Sequence, residues 1–190
     1  MPAQWSRIAR RVRVPAGFGF ALFFLGLAEP TAPFLGLSLV LVVPGLLLRG
    51  YASGYVQKNE ELTMTGPYAY TRNPLYLGSM MIAFGFALGA RSIWIAGAMA
   101  ILFGLIYIPV IRSEEEYLRG TFAAFTAYAE RVPRLVPWKL PRNVNGPAAG
   151  RFSGALYQKH REYHALMGAV AMYAALILKL LWIAKEKGVA

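Results

Sequence analysis

The residues of this chain best suited to chemistry lie in two short stretches, Thr65-Gly66-Pro67-Tyr68-Ala69-Tyr70-Thr71-Arg72-Asn73-Pro74-Leu75-Tyr76-Leu77-Gly78 and Arg112-Ser113-Glu114-Glu115-Glu116-Tyr117-Leu118. In the first, Gly66-Pro67 supplies a turn and Asn73-Pro74 a helix start, with Asn73 as the cap and Pro74 at the first helical position. Arg72 is left just outside that helix, beside free backbone N–H groups. A guanidinium next to a helix N-terminus attracts a carboxylate or a phosphate. The same letters also suit a capped helix start whose arginine snorkels to lipid phosphate, and spacing leaves both readings open. The second stretch holds three adjacent glutamates, a third of the chain's 9 acidic residues. On a helix Arg112 precedes Glu115 by three positions and Glu116 by four, so one face can hold an ion pair, although a solvated charge run fits as well. Phe122, Phe125 and Tyr128 recur at threes and predict an amphipathic helix folding back onto the rest.

The elements that position these residues are apolar. The chain has 190 residues, of which 57% are hydrophobic and only 15% charged, with a mean hydropathy of +0.43. Those values describe an integral membrane protein. Lys and Arg number 20 against 9 Asp and Glu, for a net charge of +11. Most of this charge flanks apolar segments, as the positive-inside rule requires, so a nucleic-acid partner is not implied. With no cysteine there is no disulfide framework, no thiolate nucleophile and no Cys-ligated metal.

Five segments are apolar enough to cross or nearly cross a bilayer: Val14–Ala28, Pro33–Leu48, Leu75–Ala90, Ile93–Ile111 and Tyr163–Ile183. The first follows Arg7, Arg10, Arg11 and Arg13 and reads as an uncleaved span. The first two are short, the second holding Pro44-Gly45, and are expected to tilt, kink or extend into the interface. Gly89-Ala90-Arg91-Ser92 leaves room only for a tight hairpin, so the third and fourth spans must be antiparallel neighbours. Counting crossings from the arginine-rich N-terminus puts that terminus and the loops 49–74 and 112–162 in the cytosol. The expected fold is an all-α polytopic membrane bundle of about five spans. Residues 1–138 form a four-span core, and 139–190 a Pro/Gly linker with Pro141 and Asn143-Val144-Asn145-Gly146-Pro147, a basic juxtamembrane helix and a last span.

Taken in order, Gly-Pro-Tyr-x-x-x-Arg-Asn-Pro-x-Tyr-x-Gly, a helical hairpin, Arg-x-Glu-Glu-x-x-Leu and Val-Pro-Arg-x-x-Pro resemble the isoprenylcysteine carboxyl methyltransferase and phospholipid methyltransferase family of membrane enzymes, over roughly Arg49 to Trp138. The resemblance implies S-adenosylmethionine as cofactor. It assigns cofactor binding to Arg72, Asn73, Pro74, Tyr76 and Gly78, where Asn73 replaces the usual histidine, and to Glu114 and Glu115. Asparagine keeps a donor and an acceptor but cannot titrate. The resemblance also implies catalytic roles for Arg112, facing a substrate carboxylate, and for Glu115.

The chemistry of methyl transfer agrees with that division. A carboxylate acceptor is already ionised and needs only aiming, whereas an amine or thiol must lose a proton, for which Glu115 or Tyr76 is available. The expected activity is methyl transfer to a lipophilic acceptor, first a prenylcysteine-like carboxylate, with an ethanolamine phospholipid or a thiol as alternatives. A non-enzymatic membrane scaffold or lipid-binding protein is the alternative of another class. Membrane lipids are the expected surroundings, and no metal site is expected. His160 and His164 have a possible ligand spacing, but Lys159, Arg161 and Glu162 make a juxtamembrane basic face the better reading. Tyr68, Tyr70 and Tyr76 suit an aromatic belt as well as cofactor contacts, with motif support for Tyr76 alone; Lys58, Glu60 and Glu61 read as a solvated helix end or loop from which Lys58 could reach a ligand's negative group, and Lys179 as a snorkelling or packing residue.

Overall fold

In the computed structural model, residues 22–57, 60–138 and 151–188 are described. Arg7, Arg10, Arg11, Arg13, most of the Val14–Ala28 segment, Lys58, Pro141 and the Asn143–Pro147 run lie outside the described residues. The described chain is all helical. Residues 22–27 are helical, followed by α1 (Ala32–Ser53), a 3-10 turn (Gly66–Ala69), α2 (Pro74–Gly89), α3 (Ile93–Leu102), a π segment (Phe103–Tyr107), α4 (Ile108–Thr121), α5 (Phe125–Arg131), α6 (Gly154–Lys159) and α7 (Tyr163–Glu186).

Three of these helical runs are long and apolar enough to cross a membrane: Ala32–Ser53, the continuous Ile93–Thr121, and Tyr163–Glu186. The fourth, α2, has 16 residues. At about 1.5 Å per residue it is shorter than the roughly 30 Å hydrocarbon core. It is held instead by close packing on α1. A Cβ on Gly45 would lie 2.8 Å from the Gly78 carbonyl oxygen, and one on Gly78 would lie 2.8 Å from the Gly45 carbonyl oxygen. Further along, Gly85 meets Val42 and Gly89 meets Ser38, so the two helices run antiparallel along a seam of small residues. Between apolar helices in lipid, such backbone approach is the main source of association.

The helix α1 runs through Pro44 and past the expected end at Leu48 to Ser53. Its last turns are polar, but their groups are satisfied: Arg49 pairs with Glu162, and the Ser53 hydroxyl donates to the Gly50 carbonyl. A second difference concerns the aromatic triplet. Instead of one folded-back helix, α4 stops at Thr121, Phe122 is extended at its C-cap, and only Phe125 and Tyr128 lie on α5. These two pack with Val132 against Leu62, Met64, Leu118 and Phe122, forming a small apolar cluster separate from the main core.

The hairpin before α3 is as tight as expected. Arg91 adopts φ 51, the left-handed region, and its guanidinium lies 5.7 Å from the centre of the Phe34 ring. The Glu29 N–H donates to the Ala90 carbonyl at 2.8 Å, joining the two connections at this end of the bundle. The last helix belongs to the same core: Ala169 and Leu176 pack with Phe24, Val42 and Phe86. Its Tyr173 hydroxyl meets the Ser38 hydroxyl at 2.8 Å, so neither polar group is left bare among apolar neighbours. Lys179 donates to the Leu25 and Gly26 carbonyls, at the end of the helical residues 22–27. A cation on free C-terminal carbonyls both caps them and opposes the helix dipole.

Candidate functional site

At the opposite end of the bundle, where α1 finishes, α2 starts and α4 emerges, lies a cavity of about 570 Å³. Small-molecule sites run roughly 300–1,000 Å³. The floor is set by residues 71–73. Asn73 occupies the N-cap position of α2 but makes no side-chain cap bond. Its amide nitrogen donates instead to the Arg134 carbonyl at 2.9 Å and to Glu115 Oε1 at 3.4 Å. Two acceptors from distant parts of the chain, one of them the buried Glu115, compete for that amide and outweigh the local cap. The Asn73 N–H is met by the Thr71 hydroxyl at 3.3 Å.

Arg72 is bound at both ends. Its N–H donates to the Pro133 carbonyl at 3.0 Å, and its guanidinium Nη1 lies 3.3 Å from Glu115 Oε1. The anion place beside the start of α2 is therefore filled by the chain's own carboxylate. Burial pushes the Arg72 guanidinium down from its ordinary pKa while Glu115 opposes the shift. Its Nε is buried and has no hydrogen-bond partner among the described residues.

Glu115 is the hub of the site. It receives Asn73 and Arg72 on one oxygen and Arg134 on the other, at 3.0 Å from Nε and 2.8 Å from Nη2. With both oxygens engaged it holds these elements together. Glu114, one residue before, accepts from the Tyr76 hydroxyl at 3.0 Å and lines the cavity. The Tyr76 ring stands edge-on to Tyr107, 5.5 Å between centres at 88°.

The roof is aromatic. The Tyr128 hydroxyl donates to the Tyr68 carbonyl at 2.7 Å, and burial raises the pKa of both phenols, so both stay protonated donors. Tyr68 follows Gly66, whose φ of 58 glycine adopts without a Cβ clash and against which the Tyr55 ring packs.

Of the residues expected at the site, Arg72, Asn73, Pro74, Tyr76, Glu114 and Glu115 line this one cavity. Gly78 does not; it faces Gly45 and the Arg49 side chain at the α1–α2 seam. Arg112 is exposed and does not line the cavity, and the ion pairs expected between it and Glu115 or Glu116 are not formed. Glu115 turns instead to the enclosed Arg72 and to the half-exposed Arg134.

The sequence reading missed Arg49, Ser79, Tyr107 and Glu162 as site residues. Arg49 donates through Nε and Nη2 to both oxygens of Glu162, at 3.0 and 2.9 Å, and through Nη1 to the Leu75 carbonyl at 3.3 Å and to the Ser79 hydroxyl. It thereby ties α1, α2 and the start of α7. An arginine closing an apolar run was its only sequence signal. Glu162 follows Arg161, which sits at φ 53 in the break between α6 and α7. Nothing in the local sequence announces that break. His160 Nδ1 lies 3.0 Å from the Ser53 carbonyl, a contact that docks α6 on the end of α1.

The fold and cavity together define a helical membrane protein with an acid-rich, aromatic pocket where its spans meet one surface. Two arginines, Arg49 and Arg72, face four glutamates, Glu61, Glu114, Glu115 and Glu162. Residues 39–124 match the family model described as phospholipid methyltransferase. The matched segment runs from within α1 through α2 and the hairpin to just past the end of α4. The cobalt-zinc-cadmium resistance protein CzcN of Cupriavidus metallidurans is 36% identical over 107 residues, 56% of this chain and 48% of that protein. The nickel-cobalt-cadmium resistance protein NccN of Alcaligenes xylosoxydans xylosoxydans is 40% identical over 87 residues, 46% of this chain and 40% of that protein. The chain thus spans about half the length, or less, of these relatives. No solved structure matches.

Proposed function

We propose that the protein transfers a methyl group from S-adenosylmethionine to a lipophilic acceptor, at a pocket facing the cytosol. The observation that carries this reading is the meeting of the two motifs around one cavity: Asn73 and Arg72 on Glu115, and Tyr76 on Glu114. The residues suit the cofactor. The described lining carries more acid than base, which favours a ligand with sulfonium and ammonium charges. When bound, S-adenosylmethionine supplies a methyl group whose bond to sulfur breaks, the electron pair staying on sulfur, as the acceptor's lone pair forms the new bond.

The chain's own part is orientation and exclusion of water. Glu114, held by the Tyr76 hydroxyl, is the carboxylate with room to face a cation or to take a proton from an incoming amine. Phe125, Tyr128 and Leu118 cover the site on the side of the polar loop. An amine headgroup is the acceptor class the cavity favours over a carboxylate. Arg49 and Arg72 are already paired with Glu162 and Glu115, and Arg112 lies outside the cavity. The relatives' names concern metal resistance. A contribution of that kind from this chain would come through the methylated product.

The test is label transfer from methyl-labelled S-adenosylmethionine into a lipid extract and into a prenylcysteine analogue. Base-stable label in amine headgroups is expected. Base-labile label in the analogue would mark a methyl ester and overturn the amine assignment, and label in neither, with no cofactor binding, would overturn the enzyme reading. In the same assay Arg112→Lys is expected to keep its activity within about twofold, as exposed substitutions usually do. A large loss of turnover would return Arg112 to the reaction.

A further inference from the structure

The run Ile93–Thr121 is continuous but not regular: between α3 and α4, Phe103–Tyr107 form a π turn in which the Ile108 N–H donates to the Phe103 carbonyl. Such single wide turns are uncommon and cost hydrogen-bond geometry, and they gather at functional sites. Here the wide turn has a geometric effect. The inward residues of this run recur at fours, Ile95, Met99, Phe103, Tyr107, Ile111 and Glu115. On a regular α-helix a spacing of four drifts by about 40° at each step. One extra residue in the wide turn takes back about 100°, so the row stays on one side of the helix. The residue at the end of the wide turn is Tyr107, which lines the cavity.

Tyr107 is fixed from both sides. Its ring lies 4.3 Å from that of Phe103, which is buried, and 5.5 Å from that of Tyr76. Its hydroxyl makes no hydrogen bond among the described residues. What it brings to the cavity is therefore the ring, next to a second ring whose hydroxyl is bound by Glu114. Paired aromatic rings backed by a carboxylate attract a desolvated cation, with the charge within about 6 Å of a ring centre.

We propose that Tyr107 is a positioning residue that recognises the sulfonium charge of the methyl donor, holding the charged methyl against the Tyr76–Tyr107 pair, and that the π turn exists to put it there. This rests on the methyl-transfer reading above. The donor carries the sulfonium and its demethylated product, S-adenosylhomocysteine, a neutral thioether, so the pair of ligands differs at the atom in question.

The experiment is calorimetric titration of detergent-purified wild type, Tyr107→Phe and Tyr107→Leu with each ligand. Tyr107→Leu should bind S-adenosylmethionine about 3- to 30-fold more weakly while its affinity for S-adenosylhomocysteine stays within about twofold, and Tyr107→Phe should match wild type for both. Retained binding of the neutral ligand also reports that the variant is folded. Equal loss of both ligands in Tyr107→Leu, or loss of neither, would overturn the inference while leaving the methyl-transfer reading intact. Wild type that binds neither ligand would overturn both.

Discussion

Glu115→Gln is expected to melt far below the wild type, whereas Arg134→Ala, which removes one of the same carboxylate's partners, is expected to cost little. The carboxylate side chain is 7% exposed, and it neutralises Arg72, itself 11% exposed, while Arg134 is 48% exposed. Glutamine keeps the shape but removes the charge. It leaves the Arg72 cation without a counter-ion, and its amide adds donors where Arg134 and Asn73 already donate. Breaking an enclosed pair from one side costs about 3–5 kcal/mol. The half-exposed pair with Arg134 is worth about 0.2–1 kcal/mol. Glu115 also links α4 to the start of α2, so its loss should open the cavity as well as weaken the fold. Denaturant titration in detergent gives the comparison, and a Glu115→Gln protein as stable as Arg134→Ala would contradict the assignment of Glu115 as the hub.

Gly78→Leu is expected to separate α1 from α2. Even a Cβ at this position would stand 2.7 Å from Arg49 Cγ and 2.8 Å from the Gly45 carbonyl oxygen. The second of these is backbone and cannot turn aside, so the helices themselves must move. Overpacking costs about 1–3 kcal/mol in general, and a leucine in a backbone contact belongs at the top of that range. Moving α2 would also pull Leu75 and Ser79 away from Arg49, and with them one wall of the cavity. Gly97→Leu is the control, because nothing lies within 4 Å of a Cβ there. Gly97→Leu should melt with wild type and Gly78→Leu well below it; equal melting would show that the α1–α2 seam is not what holds the bundle.

Much of the positioning framework was legible in the sequence, because it rests on local signals. The apolar runs mark the helices, Gly66-Pro67 and Asn73-Pro74 mark the turn and start before α2, and Gly89 to Ser92 permits only a hairpin. What was not legible comes from pairings across long sequence separations. Asn73 has the right type for a cap, and its departure to Glu115 and Arg134 depends on packing that brings those residues beside it. Arg112 and Arg49 look alike as cations at the edge of apolar runs, and only the neighbours of each decide that Arg49 lines the cavity while Arg112 remains outside. Gly78 was visible as part of a motif, but its seam with Gly45 required the antiparallel register of α1 and α2. The four-residue row through Phe103 and Tyr107 was present in the letters. Recognising the π turn required seeing that a regular helix cannot keep that row on one face.

Calorimetric titration with S-adenosylhomocysteine tests directly the proposed binding of a methyl donor in the cavity beneath Phe125 and Tyr128. Wild type should show saturable binding, and ligand at 100 times its dissociation constant should stabilise the protein by about 2.7 kcal/mol. Leu118→Trp, which fills the described cavity from α4, should abolish that binding while leaving the protein helical. No heat and no stabilisation of wild type at millimolar ligand would contradict the account, as would binding that Leu118→Trp leaves unchanged.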